Sequence, residues 1–434
     1  MKKKNIICAL AIAGILSSGL VSCGGEADKP NPGPGPQPTE KTKLKVWAPV
    51  EHQEVYKGFV SGFKQENPNY KDVEFELGTC GEGDAYGQVS KDVEGAADVY
   101  SFANDQLYNL INVGALAQIG GENKTFVEQN NVQSTVDAAK NLKGELYAYP
   151  MSADNGYFLY YNSDVVTNYN EKTSFAEVAE QCAAKNKKFV VPMGDSWYGY
   201  GMFAGFGAKY EVKYDDKGKE SQITCDYNKE KGLKTGNFMI DLANTEGFQY
   251  ADGGSSGDKA VVLNDYISKN IDNIGAVIVG TWKYNEISEH WGAEKTKCTY
   301  MPLMDKNDST SRMRSFVGGK MIGVNKTSKN LKIAHDFAKY ITSTACQLTR
   351  FEKLSVGPSN LQAMEDEKVK ANVALNGLAE QVSKAGDAQI NVPSTFWTAV
   401  QNFGASVGFT KEITKDNLQE KLNGLVTDIT TIVK

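Results

Sequence analysis

LKVWAPVEHQEVYKGFVSGFKQENPNYKDVEFEL, residues 44–77, carries two hydrophobic periods side by side. Leu44-Lys45-Val46-Trp47 opens as a short strand. Val55, Phe59 and Phe63 then recur at i, i+4 and i+8, which stacks them on one helix face, and Asn67-Pro68 stops that helix. Val73, Phe75 and Leu77 alternate, the period of a strand with one buried face. Strand, helix and strand in succession point to an α/β lobe with a mostly parallel sheet, because parallel neighbours need a crossover between them.

The same rhythm continues outward. Asp98–Phe102 reads as a third strand, followed by a helix from about Asp105 that ends before Gly114. Leu146–Pro150 and Tyr157–Tyr161 read as two strands close together, and Phe189–Pro192 as another. Ser174-Phe175-Ala176-Glu177 is a capping box for a helix to about Asn186. Helices are expected near 230–245 and 258–270, then the apolar strand Ile274–Val279 and a glycine-containing strand over Phe316–Asn325. Leu331, Ala334, Phe337, Ala338 and Ile341 mark an amphipathic helix, and the last hundred residues read as purely helical. About 390 residues of such a series exceed one ordinary domain and suggest two lobes.

Before this body lie Lys2-Lys3-Lys4 and the apolar run Ile6–Leu16, long enough for a signal-peptide core and short of the ~18 residues of a spanning helix. Leu20-Val21-Ser22-Cys23 resembles a bacterial lipobox, so residues 1–22 are expected to be removed and Cys23 lipidated. The five prolines between Pro30 and Pro38 make residues 23–43 a semi-extended tether. Without residues 1–22, which hold three lysines and no acid, 44 basic face 53 acidic side chains, a net charge near −9. That balance argues against a nucleic-acid partner. Cys80, Cys182, Cys225, Cys298 and Cys346 are unevenly spaced and odd in number, so neither a disulfide framework nor a zinc site is expected.

Catalytic signals are weak. His52, His290 and His335 have no partner at metal-ligand spacing, and His335 reads as a surface or packing residue. Gly253-Gly254-Ser255-Ser256-Gly257 matches G-x-S-x-G in letters but lacks a buried strand before it, and reads as a loop. Tyr214–Glu220 reads as a hairpin turn. Neither cofactor nor metal is expected.

Aromatic and acidic residues instead gather after strand ends: Phe102 and Asp105; Asp154; Asp195, Trp197 and Tyr198; and Trp282; Trp397 stands near the start of a C-terminal helix. In open α/β sheets strand ends are where ligands bind. A pyranose stacks its C–H face on an aromatic ring and donates its hydroxyls to carboxylates, so this composition points to a sugar.

Several stretches together resemble the solute-binding proteins of carbohydrate ABC importers, of the maltose/maltodextrin-binding type. They are KLKVWAPVEHQEV, GAADVYSFANDQLYNLINVGALAQI, LKGELYAYPMSADNGYFLYYN, AVIVGTW, SFVGGKMIGVN and NVPSTFWTAV, spread over nearly all of 44–434. The resemblance implies a two-lobed, type II periplasmic-binding-protein-like clamshell with an interlobe hinge and a helical C-terminal tail. Its lobes would be 44–153 with 320–366, and 154–319 with 367–434. By matching position it adds Glu51 and His52 to the ligand-binding set. Gln106 and Gln401 stand where the compared maltose binder has arginines, Thr398 replaces a tyrosine and Phe102 a tryptophan.

The implied function is capture of an oligosaccharide, maltose or maltodextrin, by a monomer held on the outer face of the bacterial membrane through Cys23. Delivery to the permease subunits of an ABC transporter would follow. The alternatives are the same fold binding a non-sugar solute, or a surface glycoside hydrolase using Asp154 and Asp195 as its carboxylate pair.

Overall fold

The computed structural model describes residues 42–432 apart from 216–218, 254–260 and 390–391. The leader, Cys23 and nearly all of the tether lie outside the described residues, as do Gly254–Gly257 of the G-x-S-x-G match.

The quoted stretch folds as read. β1 (Lys43–Ala48) and β2 (Glu74–Thr79) flank helix Gln53–Glu66, which buries Val55, Tyr56, Phe59 and Phe63. β3 (Val99–Ala103) and β4 (Ala148–Pro150) follow, and a strand from far downstream, Lys320–Val324, completes a five-stranded sheet. Its order is β2-β1-β3, then the returning strand, then β4. The first three strands are parallel, but the returning strand runs antiparallel to both of its neighbours, so the sheet is mixed rather than mostly parallel. The cause is the direction of entry. The β1–β3 strands run towards the edge where Ala103 ends β3, and the returning chain enters at that edge, with Lys320 opposite Ala103.

A second sheet draws on β5 (Phe158–Asn162), β6 (Lys188–Val191), β9 (Phe248–Tyr250), β10 (Ile274–Val279) and β11 (Thr296–Thr299), in the order β11-β5-β10-β6-β9. The pairings of β10 with β6 and of β6 with β9 are parallel, while β5 runs antiparallel to β10 and β11. β7 (Tyr210–Tyr214) and β8 (Glu220–Cys225) form the expected hairpin. The helix expected near 258–270 is described over Leu263–Asn270. The capping box at Ser174 is present with both reciprocal bonds, at the head of helix Phe175–Ala183.

Each sheet sits in its own hydrophobic core. One gathers residues from Leu44 to Met151 with Met321–Cys346; the other gathers Tyr157–Phe316 with Ala374–Ile429. The chain therefore crosses between lobes more than once. The expected strand over Phe316–Asn325 is two strands in different lobes: β12 (Ser315–Val317) pairs with β14 (Gly386–Ala388), and β13 (Lys320–Val324) is the returning strand of the first sheet. The break falls at Gly318-Gly319, where no side chain fits. A Cβ would lie 2.4 Å from Asn104 Oδ1 at Gly318, and 2.3 Å from the Ser152 carbonyl at Gly319. β14 also corrects the reading of a purely helical tail. In helix Leu331–Ile341, Ala334, Phe337, Ala338 and Ile341 are buried as expected, while Leu331 in its first turn is exposed. His335 packs against Tyr149, whose hydroxyl lies 2.9 Å from His335 Nδ1. Among the described residues no helix is long and apolar enough to cross a membrane, and the five cysteines are free.

Candidate functional site

A cavity of about 710 Å³ is lined by residues from both cores. Three indoles from three distant segments meet there: Trp197, Trp282 and Trp397. Trp197 opens helix Ser196–Gly205, whose N-cap is Asp195; the Asp195 carboxylate accepts from Trp197 N at 2.7 Å. Trp282 sits in the short 3-10 turn that follows β10, 39% exposed, with its ring 6.1 Å from that of Trp197. Trp397 lies in the first turn of helix Phe396–Gly408, which approaches so closely that a Cβ at Gly404 would stand 1.9 Å from the Met193 carbonyl. Tyr198 also lines the cavity but is nearly buried, its ring against Tyr157 and Trp197.

Polar residues cover the opposite wall. Glu51 and His52 come from the turn after β1, and Asp105 from the turn after β3. Burial pushes the Asp105 carboxyl up to about 6 against the pull of Lys320, and its Oδ1 has no hydrogen-bond partner among the described residues. Burial, aided by Arg350, pushes His52 down to about 4. Its Nδ1 lies 3.8 Å from Glu82 Oε1, but a neutral imidazole makes no ion pair, and both atoms lack a hydrogen-bond partner. Burial also raises the Glu82 carboxyl.

Asp154 lies between the walls. Its Oδ2 accepts from Thr281 Oγ1 at 2.8 Å and from Gly357 N at 2.6 Å, which ties three segments together. Burial raises its carboxyl while those bonds oppose the shift.

Nine of the ten residues singled out in the sequence line this one cavity: Glu51, His52, Asp105, Asp154, Asp195, Trp197, Tyr198, Trp282 and Trp397. Phe102 does not. Side chains alternate along β3, and when Ala103 faces the cavity Phe102 must face away; it is fully buried with Tyr100, their rings 6.1 Å apart. Residues not foreseen include Glu82, Gln389 and Lys320. Glu82 follows β2, so the search after strand ends could have found it. Gln389 Oε1 accepts from Trp197 Nε1 at 3.0 Å and Asn155 Nδ2 at 3.1 Å, and its carbonyl accepts from Asn104 at 3.0 Å. Gln106, at the missing arginine, turns inward: Nε2 donates to the Glu82 and Gly83 carbonyls, and Oε1 accepts from Tyr86 N.

The lobes also touch directly. Tyr108, next to the cavity-lining Asn109, stacks on Tyr214 of the hairpin with ring centroids 5.9 Å apart. Within the second lobe, Glu220 of the same hairpin accepts from the amide and hydroxyl of Ser394 at 2.8 and 2.9 Å.

Residues 59–377 match the family of bacterial extracellular solute-binding proteins. This chain belongs to that family. It is a family of binding proteins, not of enzymes, and its two-lobed α/β fold recurs in solved structures similar to this one. A chain solved with acarbose is 27% identical, with a TM-score of 0.77, over 90% of this chain and 99% of that one. The maltodextrin-binding protein MalE1 of L. casei BL23 superposes with a TM-score of 0.67 at 20% identity, over 91% of this chain and all of that one. In sequence, the galactooligosaccharide-binding protein of Bacillus subtilis (strain 168) is 23% identical over 437 residues, 97% of this chain and 96% of that protein.

Proposed function

We propose that this solute-binding protein captures an oligosaccharide in the cleft between its lobes, an α-glucan of the maltodextrin kind, and hands it to an ABC permease. One observation carries the reading. Three indoles and the carboxylates of Asp105 and Asp154, drawn from segments far apart in sequence, share one cavity large enough for several sugar rings. A micromolar binder needs about 8 kcal/mol. Two or three stacked ring faces at ~1.5–3 kcal/mol each supply a large share of that, and several charge-assisted hydrogen bonds at ~1.5–3 each supply more, before association costs are subtracted. The similarity to a chain solved with acarbose supports this sugar class.

The lobes would be 44–153 with 320–366, and 154–319 with 367–434, hinged at Gly318-Gly319. A sugar touches both walls only when the cleft is shut, so binding favours the closed state, which the permease would recognise. Lipidation of Cys23 and the proline-rich tether would hold the monomer near that permease on the outer face of the membrane. Titration calorimetry against maltose, maltotriose, maltopentaose and a galactosyl trisaccharide tests the reading. Binding of a glucan at a micromolar Kd is expected. Heat from a polyamine or peptide, with none from any sugar, overturns it. The galactosyl sugar is the second reading, favoured by the similarity to the Bacillus subtilis protein.

A further inference from the structure

Lys320 is the first residue of β13, directly after the Gly318-Gly319 break, and it lines the cavity. The sheet register sets it beside Ala103, two residues from Asp105. Its charge reaches Glu82, Asp105 and Asp154, favouring their ionised carboxylates, and His52, favouring its neutral imidazole. Yet its ammonium makes no hydrogen bond or ion pair with any described residue. On the same wall Glu82 Oε1, Asp105 Oδ1 and His52 Nδ1 are buried without hydrogen-bond partners. A lysine within electrostatic reach of several buried carboxylates, but in contact with none, leaves a polar gap between them. Unpartnered buried polar atoms are costly, at ~1–3 kcal/mol each.

We infer that Lys320, Glu82 and Asp105 form a hydroxyl-reading subsite, in which adjacent hydroxyls of one neutral sugar ring accept from the ammonium and donate to the two carboxylates. This rests on the reading of the cleft as an oligosaccharide site. The charge pattern selects the ligand class. A cationic group would meet Lys320, and an anionic one would meet Glu82 and Asp105. A hydroxyl both donates and accepts, so a neutral polyol satisfies all three at once. Gln106 cannot supply a donor here, because both hydrogen bonds of its amide nitrogen go to backbone carbonyls. The cation comes instead from the strand that returns through the hinge, so the subsite is assembled from three segments of the first lobe.

The test compares the full chain with its Lys320→Met, Lys320→Arg and Trp397→Ala variants by calorimetry with maltotriose and the galactosyl trisaccharide. Thermal melting serves as the structural control. Lys320→Met is expected to weaken the sugar that binds by roughly 10- to 100-fold, the range of one charge-assisted hydrogen bond, with an unchanged melting midpoint. Lys320→Arg is expected to retain most of the affinity. If Lys320→Met binds like the parent while Trp397→Ala is weakened, the subsite is wrong and the capture reading stands. If the parent takes neither sugar, both fall.

Discussion

Across the cleft, the wall built on the second sheet presents Trp197, Trp282 and Trp397, while the wall built on the first presents Glu51, His52, Glu82, Asp105 and Lys320 and no indole. On the proposed reading, the two halves would divide the work of recognition. An indole face accepts any flat apolar C–H surface, so the aromatic wall supplies affinity with little regard for linkage. Fixed charges demand hydroxyls at particular places, because an unmatched buried charge is heavily penalised, so the polar wall supplies selectivity.

Breaking the aromatic wall should therefore have the largest effect. Trp197→Ala combined with Trp397→Ala is expected to weaken every sugar that binds by more than about 100-fold, the loss expected of two central aromatic anchors. The loss should be similar across glucans of different length, and calorimetry on a length series measures it.

Next comes the Gly318-Gly319 break, the proposed hinge between the walls. Gly319→Ala places a Cβ 2.3 Å from a backbone oxygen, and overpacking of this kind costs about 1–3 kcal/mol, read as a lowered denaturation midpoint in urea.

A chemical change on the polar wall is smaller and depends on pH. With its carboxyl pushed up to about 6, Asp105 accepts a ligand hydroxyl as a carboxylate above that pH and is protonated below it. Sugar affinity should fall with decreasing pH from about 6, by at most about tenfold per unit. His52, held down near 4, stays neutral through this range and adds nothing to the slope. Folding stability moves the other way. The native Asp105 binds its proton more tightly than an unfolded one, so its contribution is favourable at low pH and is lost as pH rises from about 4 to 6. Asp105→Asn should remove the Asp105 share of both dependences and leave what Glu82 and Asp154, also raised by burial, contribute; a pH series of calorimetry and melting curves would show it.

The smallest effect belongs to the rim, where the walls touch without ligand. Tyr214→Ala removes a stacked pair worth ~0.5–1.5 kcal/mol, which should favour the open state and weaken all sugars a few-fold alike. Small-angle scattering of the free variant would register the opening as a larger radius of gyration.

The aromatic wall was legible before any coordinates because tryptophan is rare, with five in the chain, and because Trp197 and Trp282 follow readable strands while Trp397 stands at a readable helix start. The polar wall was only partly legible. Asp105 and Asp154 follow strands, but Lys320 precedes one, and a search of strand exits passes over it. Phe102 was misread because its neighbour Ala103, the small residue of the pair, takes the cavity-facing position on β3. The single strand read over Phe316–Asn325 failed at Gly318-Gly319, where two unlike sheets meet end to end.

The sequence by itself determined the local elements, the α/β class and most of the residue types that line the cavity. Hydrophobic period, caps and breakers act over a few residues and are written in the chain. Only the tertiary structure decided which strand runs antiparallel, that Gln106 turns inward, and that the wall's cation arrives directly after the Gly318-Gly319 break. Those outcomes depend on which distant segments become neighbours, and a residue's identity carries no record of its neighbours until the chain has folded.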